Sequence, residues 1–171
     1  LKAAQDFLTA DGDEAFLLVN SDAWHTFDLR AVAARYDPAD VAMMVVHRDR
    51  RRPDLHVLDC RPSGDMAGFL HRPPMNLDEL EAQETRGFLG IYTGVAVYSV
   101  RVLDHLPANR VSGLVVHGLR PAVACGERIA WHEADGLWID CGTLNELQRA
   151  DVFTRSLRAL PSEAALQAVR Q

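Results

Sequence analysis

Residues Val41 to His47 read VAMMVVH, an apolar run without alternation. A strand with one wet face alternates apolar and polar side chains. An unbroken run marks a strand covered on both faces. Such a strand needs layers above and below its sheet, and the neighbouring segments offer them as helices. Asp28 before LRAVAARY predicts a capped helix from Leu29 to about Tyr36, stopped by Asp37-Pro38. A longer helix is expected from about Ser112 to Ala124, with Gly126 in the C-cap role after Cys125. Thr143 caps another to about Leu160, and Pro161-Ser162 opens a last one. Leu1 to Leu8 and Ser99 to Leu106 read as short helices, and Leu77 to Thr85 as an acidic helix or a loop.

Between these lie further strand patterns: Ala15 to Val19, Leu55 to Asp59, Asp65 to Leu70, Phe88 to Tyr98, Arg128 to Glu133 and Leu137 to Cys141. Strands alternating with helices predict an α/β fold, with a mixed, largely parallel central sheet flanked by helices. The chain has 171 residues, 48% of them hydrophobic, and no internal repeat. That suits a single domain over residues 1–171.

Composition removes several function classes. The formal charge is −6, and the basic block HRDRRRP, His47 to Pro53, stands alone. A nucleic-acid surface is not indicated, and that block reads as a solvated loop with His47 and His56 facing water. No apolar run approaches the length of about 20 residues that spans a bilayer, so no membrane partner is expected. The three cysteines, Cys60, Cys125 and Cys141, match no disulfide or metal framework, which suits a reduced, cytoplasmic setting. His105, His117, Trp131, Met43 and Met44 read as packing or surface residues.

Candidate chemistry sits where apolar strands end. FLLVNSDAW, Phe16 to Trp24, runs from a strand apolar on both faces straight into Asp22. GLWIDCGT, Gly136 to Thr143, does the same with Asp140. In open α/β sheets, ligands lie outside the carboxyl ends of the strands. Two carboxylates there can share one hard cation, and Mg²⁺ takes one or two carboxylates with water and phosphate oxygens. Either aspartate alone is equally explained by a turn or a helix cap. Trp24 either packs over a ligand or closes the end of the sheet.

The order of these pieces resembles the sugar-phosphate nucleotidyltransferases. FLLVNSDAW resembles their VNGD segment, and GDMAGFLHRPP their strand leading into Glu-Lys-Pro. YTGVAVYSVRVLDHLP resembles their Thr-Gly-Ile/Val strand and helix, and GLWIDCGTLNEL their Trp-x-Asp-x-Gly-Thr segment. The nearest flavour is the short type that includes mannose-1-phosphate guanylyltransferases and N-acetylmuramate-1-phosphate uridylyltransferases. The resemblance implies a Rossmann-like nucleotide-diphospho-sugar transferase fold. It also implies formation of an NDP-sugar and pyrophosphate from an NTP and a sugar 1-phosphate, by Mg²⁺-assisted in-line attack on the α-phosphate. Asp22 and Asp140 match the family's metal-binding aspartates. Arg72 stands at its phosphate-holding Lys, and Asn20, His71, Thr93, Gly94 and Trp24 fall at or beside its sugar pocket.

The sequence also departs from the family. Ser21 replaces a Gly, His71 a Glu, Arg72 the Lys, and Leu144 a Pro. The family's Gly-rich, Lys-bearing triphosphate loop has no counterpart, and LKAAQDFL resembles the helix after its base-binding half. The resemblance therefore implies a chain lacking the N-terminal nucleotide-binding half, and inactive alone. Two further readings remain: a nonenzymatic nucleotide-sugar-binding homologue, and a related glycosyltransferase. The base, the sugar and the oligomeric state are not legible.

Overall fold

A computed structural model describes residues 1–84, 87–108, 110–133 and 135–159. The strands are β1 (Ala15–Val19), β2 (Ala23–His25), β3 (Ala42–His47), β4 (His56–Cys60), β5 (Met66–Phe69), β6 (Phe88–Ser99), β7 (Ile129–Glu133) and β8 (Trp138–Asp140). The helices are α1 (Gln5–Leu8), α2 (Leu29–Ala33), α3 (Leu77–Gln83), α4 (Val102–His105), α5 (Arg120–Ala124) and α6 (Leu144–Ala159). One π-helical turn, Val115–Leu119, leads into α5. It is explained by Pro121, which has no N–H and whose ring crowds the carbonyl four residues back. The expected helix after Pro161 lies outside the described residues.

The main sheet has the order β5-β4-β6-β3-β7, with β1 also paired to β6. The mixed sheet flanked by helices agrees with the sequence, but its strand directions differ from expectation. Among the described residues only β3 and β7 pair in parallel; β6 runs antiparallel to β1, β3 and β4, and β4 runs antiparallel to β5. β1, β3 and β7 do run the same way. The long strand β6 returns between β1 and β3, so neighbours oppose each other while the alternate strands agree. Apolar runs report burial, not the direction of the neighbour.

β3 explains why VAMMVVH has no alternation. Ala42, Met44 and Val46 pack with Leu103, Leu106, Leu119 and Ala122, from α4 to α5. Met43 and Val45 point the other way, into a cluster with Val95, Val97, Phe27 and Val32 of α2. Asp28 caps α2 as expected, its side chain accepting from the amides of Arg30 and Ala31. β1 corrects the expectation of a doubly buried strand. It borders only β6 among the described residues, and Leu17 and Val19 are 37% and 41% exposed.

The shared direction of β1, β3 and β7 places three carboxyl ends at one edge of the sheet. The segments that follow them are Asn20–Asp22, the basic loop after His47, and the connection from Glu133 to β8.

Candidate functional site

Asp22 and Asp140 come from segments far apart in sequence, yet both line one small cavity of about 150 Å³ with Asn20, Ala23, Tyr92, Thr93, Gly94 and Trp138. The device that joins them is not the main sheet, as the sequence suggested, but the two-stranded ribbon β2–β8. Its register sets Ala23 opposite Asp140, and the Cys141 amide donates to the Asp22 carbonyl at 2.7 Å. One oxygen of the Asp140 carboxylate accepts from the Gly142 amide at 3.0 Å. Two carboxylates are a hard-oxygen donor set. Among the described residues no group of three His, Cys, Asp or Glu side chains forms a metal cluster.

Thr93 and Gly94 fix both carboxylate segments from the middle of β6. The Thr93 carbonyl accepts from the Trp138 indole at 2.7 Å, and the Gly94 carbonyl accepts from the Asn20 amide at 2.7 Å. Trp138 lies two residues before Asp140 and Asn20 two before Asp22. The buried Thr93 hydroxyl donates to the Val45 carbonyl at 2.9 Å, tying this seam to β3. Gly94 has φ +80°, and a Cβ there would stand 2.9 Å from the Asn20 Cβ. Glycine is what lets the Asn20–Asp22 loop approach so closely.

Asp140 also borders a much larger cleft of about 980 Å³. Trp24, Trp138, His47 and Phe153 give it an aromatic lining, and Asp49, Arg51, Arg52, Asn145, Glu146 and Arg149 are among its polar groups. Trp24 meets Phe153 of α6 edge-on at 6.0 Å, so it lines the cleft and braces the helix together. His47 packs against Trp138 at 5.7 Å, and burial pushes its pKa below the ordinary imidazole value. The hydrogen bonds from Arg51 hold the Asp49 carboxyl below the usual carboxylate range, and those from Arg52 do the same for Asp54. Burial raises the pKa of the Cys141 thiol, which favours the thiol over the thiolate.

The sequence reading placed His71 and Arg72 with this site, and the structure does not bring them there. Both are exposed, neither lines the cavity or the cleft, and Arg72 pairs with Glu79 at 3.0 Å. The basic loop, read as solvated, lines the cleft instead. His56, expected in water, is 1% exposed, and its Nδ1 lies 2.9 Å from the Arg52 carbonyl oxygen. The signal was available: this loop follows the carboxyl end of β3, where ligands gather in such sheets. Nothing comparable marked Asn145, Gln148 or Arg149, which α6 carries over the cleft.

No known family model and no curated sequence matches this chain. Solved structures do match it in fold. A UTP-bound UGPase from Acinetobacter baumannii superposes with a TM-score of 0.69 at 17% identity, over 94% of this chain and 56% of that one. HddC from Yersinia pseudotuberculosis, complexed with GMP-PN, gives 0.65 at 13% identity, over 89% and 61%. A protein described as a glucose-1-phosphate thymidylyltransferase from Bacillus anthracis, in complex with a sucrose, gives 0.64 at 16%, over 90% and 58%. The fold is therefore that of sugar-phosphate nucleotidyltransferases, and the chain spans less than two thirds of the length of these neighbours. No helix among the described residues is long and apolar enough to cross a membrane.

Proposed function

We propose that this chain forms the sugar-phosphate side of a nucleotidyltransferase, which joins an NTP and a sugar 1-phosphate into an NDP-sugar and releases pyrophosphate. The observation that carries the reading is the convergence of Asp22 and Asp140 on one cavity, at the carboxyl edge of the sheet, beside an aromatic-lined cleft. The neighbours named for UTP, GMP-PN and sucrose add support through their shared fold.

Asp22 and Asp140 fit a Mg²⁺ ion, because their two hard oxygens leave the remaining positions to water and phosphate. When bound, the cation would supply charge neutralisation between the two phosphates. The chain's own residues do the rest. The indole of Trp138, fixed by Thr93, offers the hydrophobic face of a pyranose a flat partner. Asn145 and Gln148 offer amides to hydroxyl groups from the α6 side. The ribbon β2–β8 holds Asp22 and Asp140 at a set spacing, so positioning rather than a protein nucleophile is what this edge contributes.

A second reading, a nonenzymatic nucleotide-sugar-binding homologue, is favoured by one observation: neither His71 nor Arg72 lines the cleft. Two measurements separate the readings. Pyrophosphate release from an NTP and a hexose 1-phosphate is assayed in the full-length protein with Mg²⁺, and binding of each substrate is measured in parallel. Binding with turnover supports the enzyme, binding without turnover supports the homologue, and no binding of either substrate removes both.

A further inference from the structure

We infer that Arg52, in the loop after β3, is the residue of this cleft that holds the phosphate of a hexose 1-phosphate; this rests on the nucleotidyltransferase reading above. Arg72, the position the sequence pointed to, is spent on Glu79 outside the cleft. Arg52 lines the cleft, with its side chain 38% exposed.

The backbone at Arg52 is fixed on both sides. Its amide donates to the Asp49 carbonyl at 2.9 Å, and its carbonyl accepts from the Leu55 amide at 3.1 Å. The same carbonyl lies 2.9 Å from Nδ1 of His56, which is 1% exposed. The guanidinium is oriented as well. Nε and Nη2 bond the two oxygens of Asp54 at 3.2 and 3.1 Å. That bidentate clamp occupies one edge of the fork. Nη1 is left toward Glu146 on α6, whose nearest oxygen is 3.7 Å away and beyond a direct hydrogen bond. Nη1 therefore faces α6 with only a long ion pair to Glu146 and no direct hydrogen bond among the described residues. Asp140 lines the same cleft as Arg52.

The other arginines are less suited. Arg51 has its side chain 86% exposed and Arg149 67%, each holding its own carboxylate in a surface pair. Carboxylates outnumber guanidiniums along the lining even with Arg52 counted, so a phosphate there needs a specific, oriented donor. With Arg52, a phosphate monoester has a fixed cationic donor in the cleft, on the α6 side, and its sugar extends over the aromatic wall. A guanidinium suits that task better than an ammonium, because its donors are planar and prearranged.

The test uses the indole N–H resonances of the chain's tryptophans. Trp24 and Trp138 line the cleft and Trp131 does not, which provides an internal control. α-D-Glucose 1-phosphate and free glucose are titrated into wild type, Arg52→Gln, Arg52→Lys and Arg72→Gln. The inference expects glucose 1-phosphate to shift Trp24 and Trp138 but not Trp131 in wild type. Arg52→Gln should weaken that binding about tenfold or more. Arg52→Lys should lose part of it, Arg72→Gln should keep it, and the weaker response to free glucose should stay the same in all variants. Because a merely structural loss would weaken both ligands together, the ratio between them is the deciding readout. If Arg52→Gln binds glucose 1-phosphate like wild type, or loses both ligands equally, the inference is overturned while the reading of the cleft stands. If wild type shows no cleft response to glucose 1-phosphate, that reading fails and the inference falls with it.

Discussion

Replacing Gly94 with alanine tests whether the close approach of β6 and the Asn20 loop builds the site. The magnitude has two sources. Gly94 has φ +80°, and placing an L-residue in that region costs about 1–2 kcal/mol. The added Cβ would also stand 2.9 Å from the Asn20 Cβ and 3.2 Å from the Ala23 Cβ. Neither atom can rotate away, since a Cβ is carried by its backbone, so the loop itself must retreat. Overpacking of this kind adds about 1–3 kcal/mol, for a total of about 2–5 kcal/mol. Gly64→Ala is the matched control: its φ is +88° and nothing lies within 4 Å of the added atom. It should cost only the backbone part, about 1–2 kcal/mol. Denaturant unfolding of both variants measures the difference. Glucose 1-phosphate titration in Mg²⁺ then asks whether displacing the loop, and Asp22 with it, weakens binding. Equal losses of stability in Gly94→Ala and Gly64→Ala would refute the argument that contact with Asn20 demands glycine here.

Trp138→Phe keeps an aromatic wall but removes the indole donor 2.7 Å from the Thr93 carbonyl. It should cost about 1–3 kcal/mol in thermal unfolding, the penalty of a polar group left unpaired. In the full-length protein, Asp140→Asn should lower turnover by about 3 kcal/mol or more of barrier with little change in melting point. Near-wild-type turnover at saturating Mg²⁺ would remove Asp140 from the site. Arg128→Ala strands the Asp40 carboxylate, which is 1% exposed, and should destabilise by roughly 3 kcal/mol, with Asp40→Asn in the same chain recovering part of the loss on denaturant unfolding. Burial lowers the pKa of His56 from its ordinary value of 6.5, so the unfolded chain takes up the proton first. Its contribution to stability should be complete above that value and decline as pH falls from there toward the folded pKa. Melting points across mildly acid pH should show this slope, and His56→Gln should reduce it, the share of His25, His47 and His132 remaining.

The parts of the fold that were legible are those written in local pattern. β1 begins and ends as read, β3 begins one residue after the reading, and Asp28 caps α2 through its own side chain. Strand direction was not legible. The apolar character of β1, β3 and β7 reports what covers them, and β6 enters between β1 and β3 without leaving a mark in either sequence. The aspartates were visible because each interrupts an apolar run, but the pairing that unites them was not. It depends on Ala23 facing Asp140 across a ribbon of two three-residue strands, too short to show a period. Arg52 was hidden for the opposite reason. A run of arginines and aspartates looks the same whether it faces water or a cleft, and the deciding residue, His56, resembles any polar residue beside a charged loop.

The two ends of the site are held by interactions of different strength, and that difference bears on how a ligand would be received. Asp22 and Asp140 are set through Asn20 and Trp138, which bond the carbonyls of Gly94 and Thr93 in a strand that is mostly buried. Moving the backbone that carries either carboxylate requires breaking a bond to the core, so this end is braced. The far rim of the cleft is joined to the loop after β3 through Glu146, which faces Arg52 at 3.7 Å and Arg149 at 2.8 Å. Exposed pairs of this type contribute about 0–1 kcal/mol each. They can exchange a carboxylate for a phosphate at little cost, whereas the Thr93–Gly94 seam cannot yield without loss of packing. The chain thus combines a braced carboxylate end with a rim whose ion pairs are weak enough to open, which on the function proposed above would let the rim accept a phosphate without disturbing the aspartates.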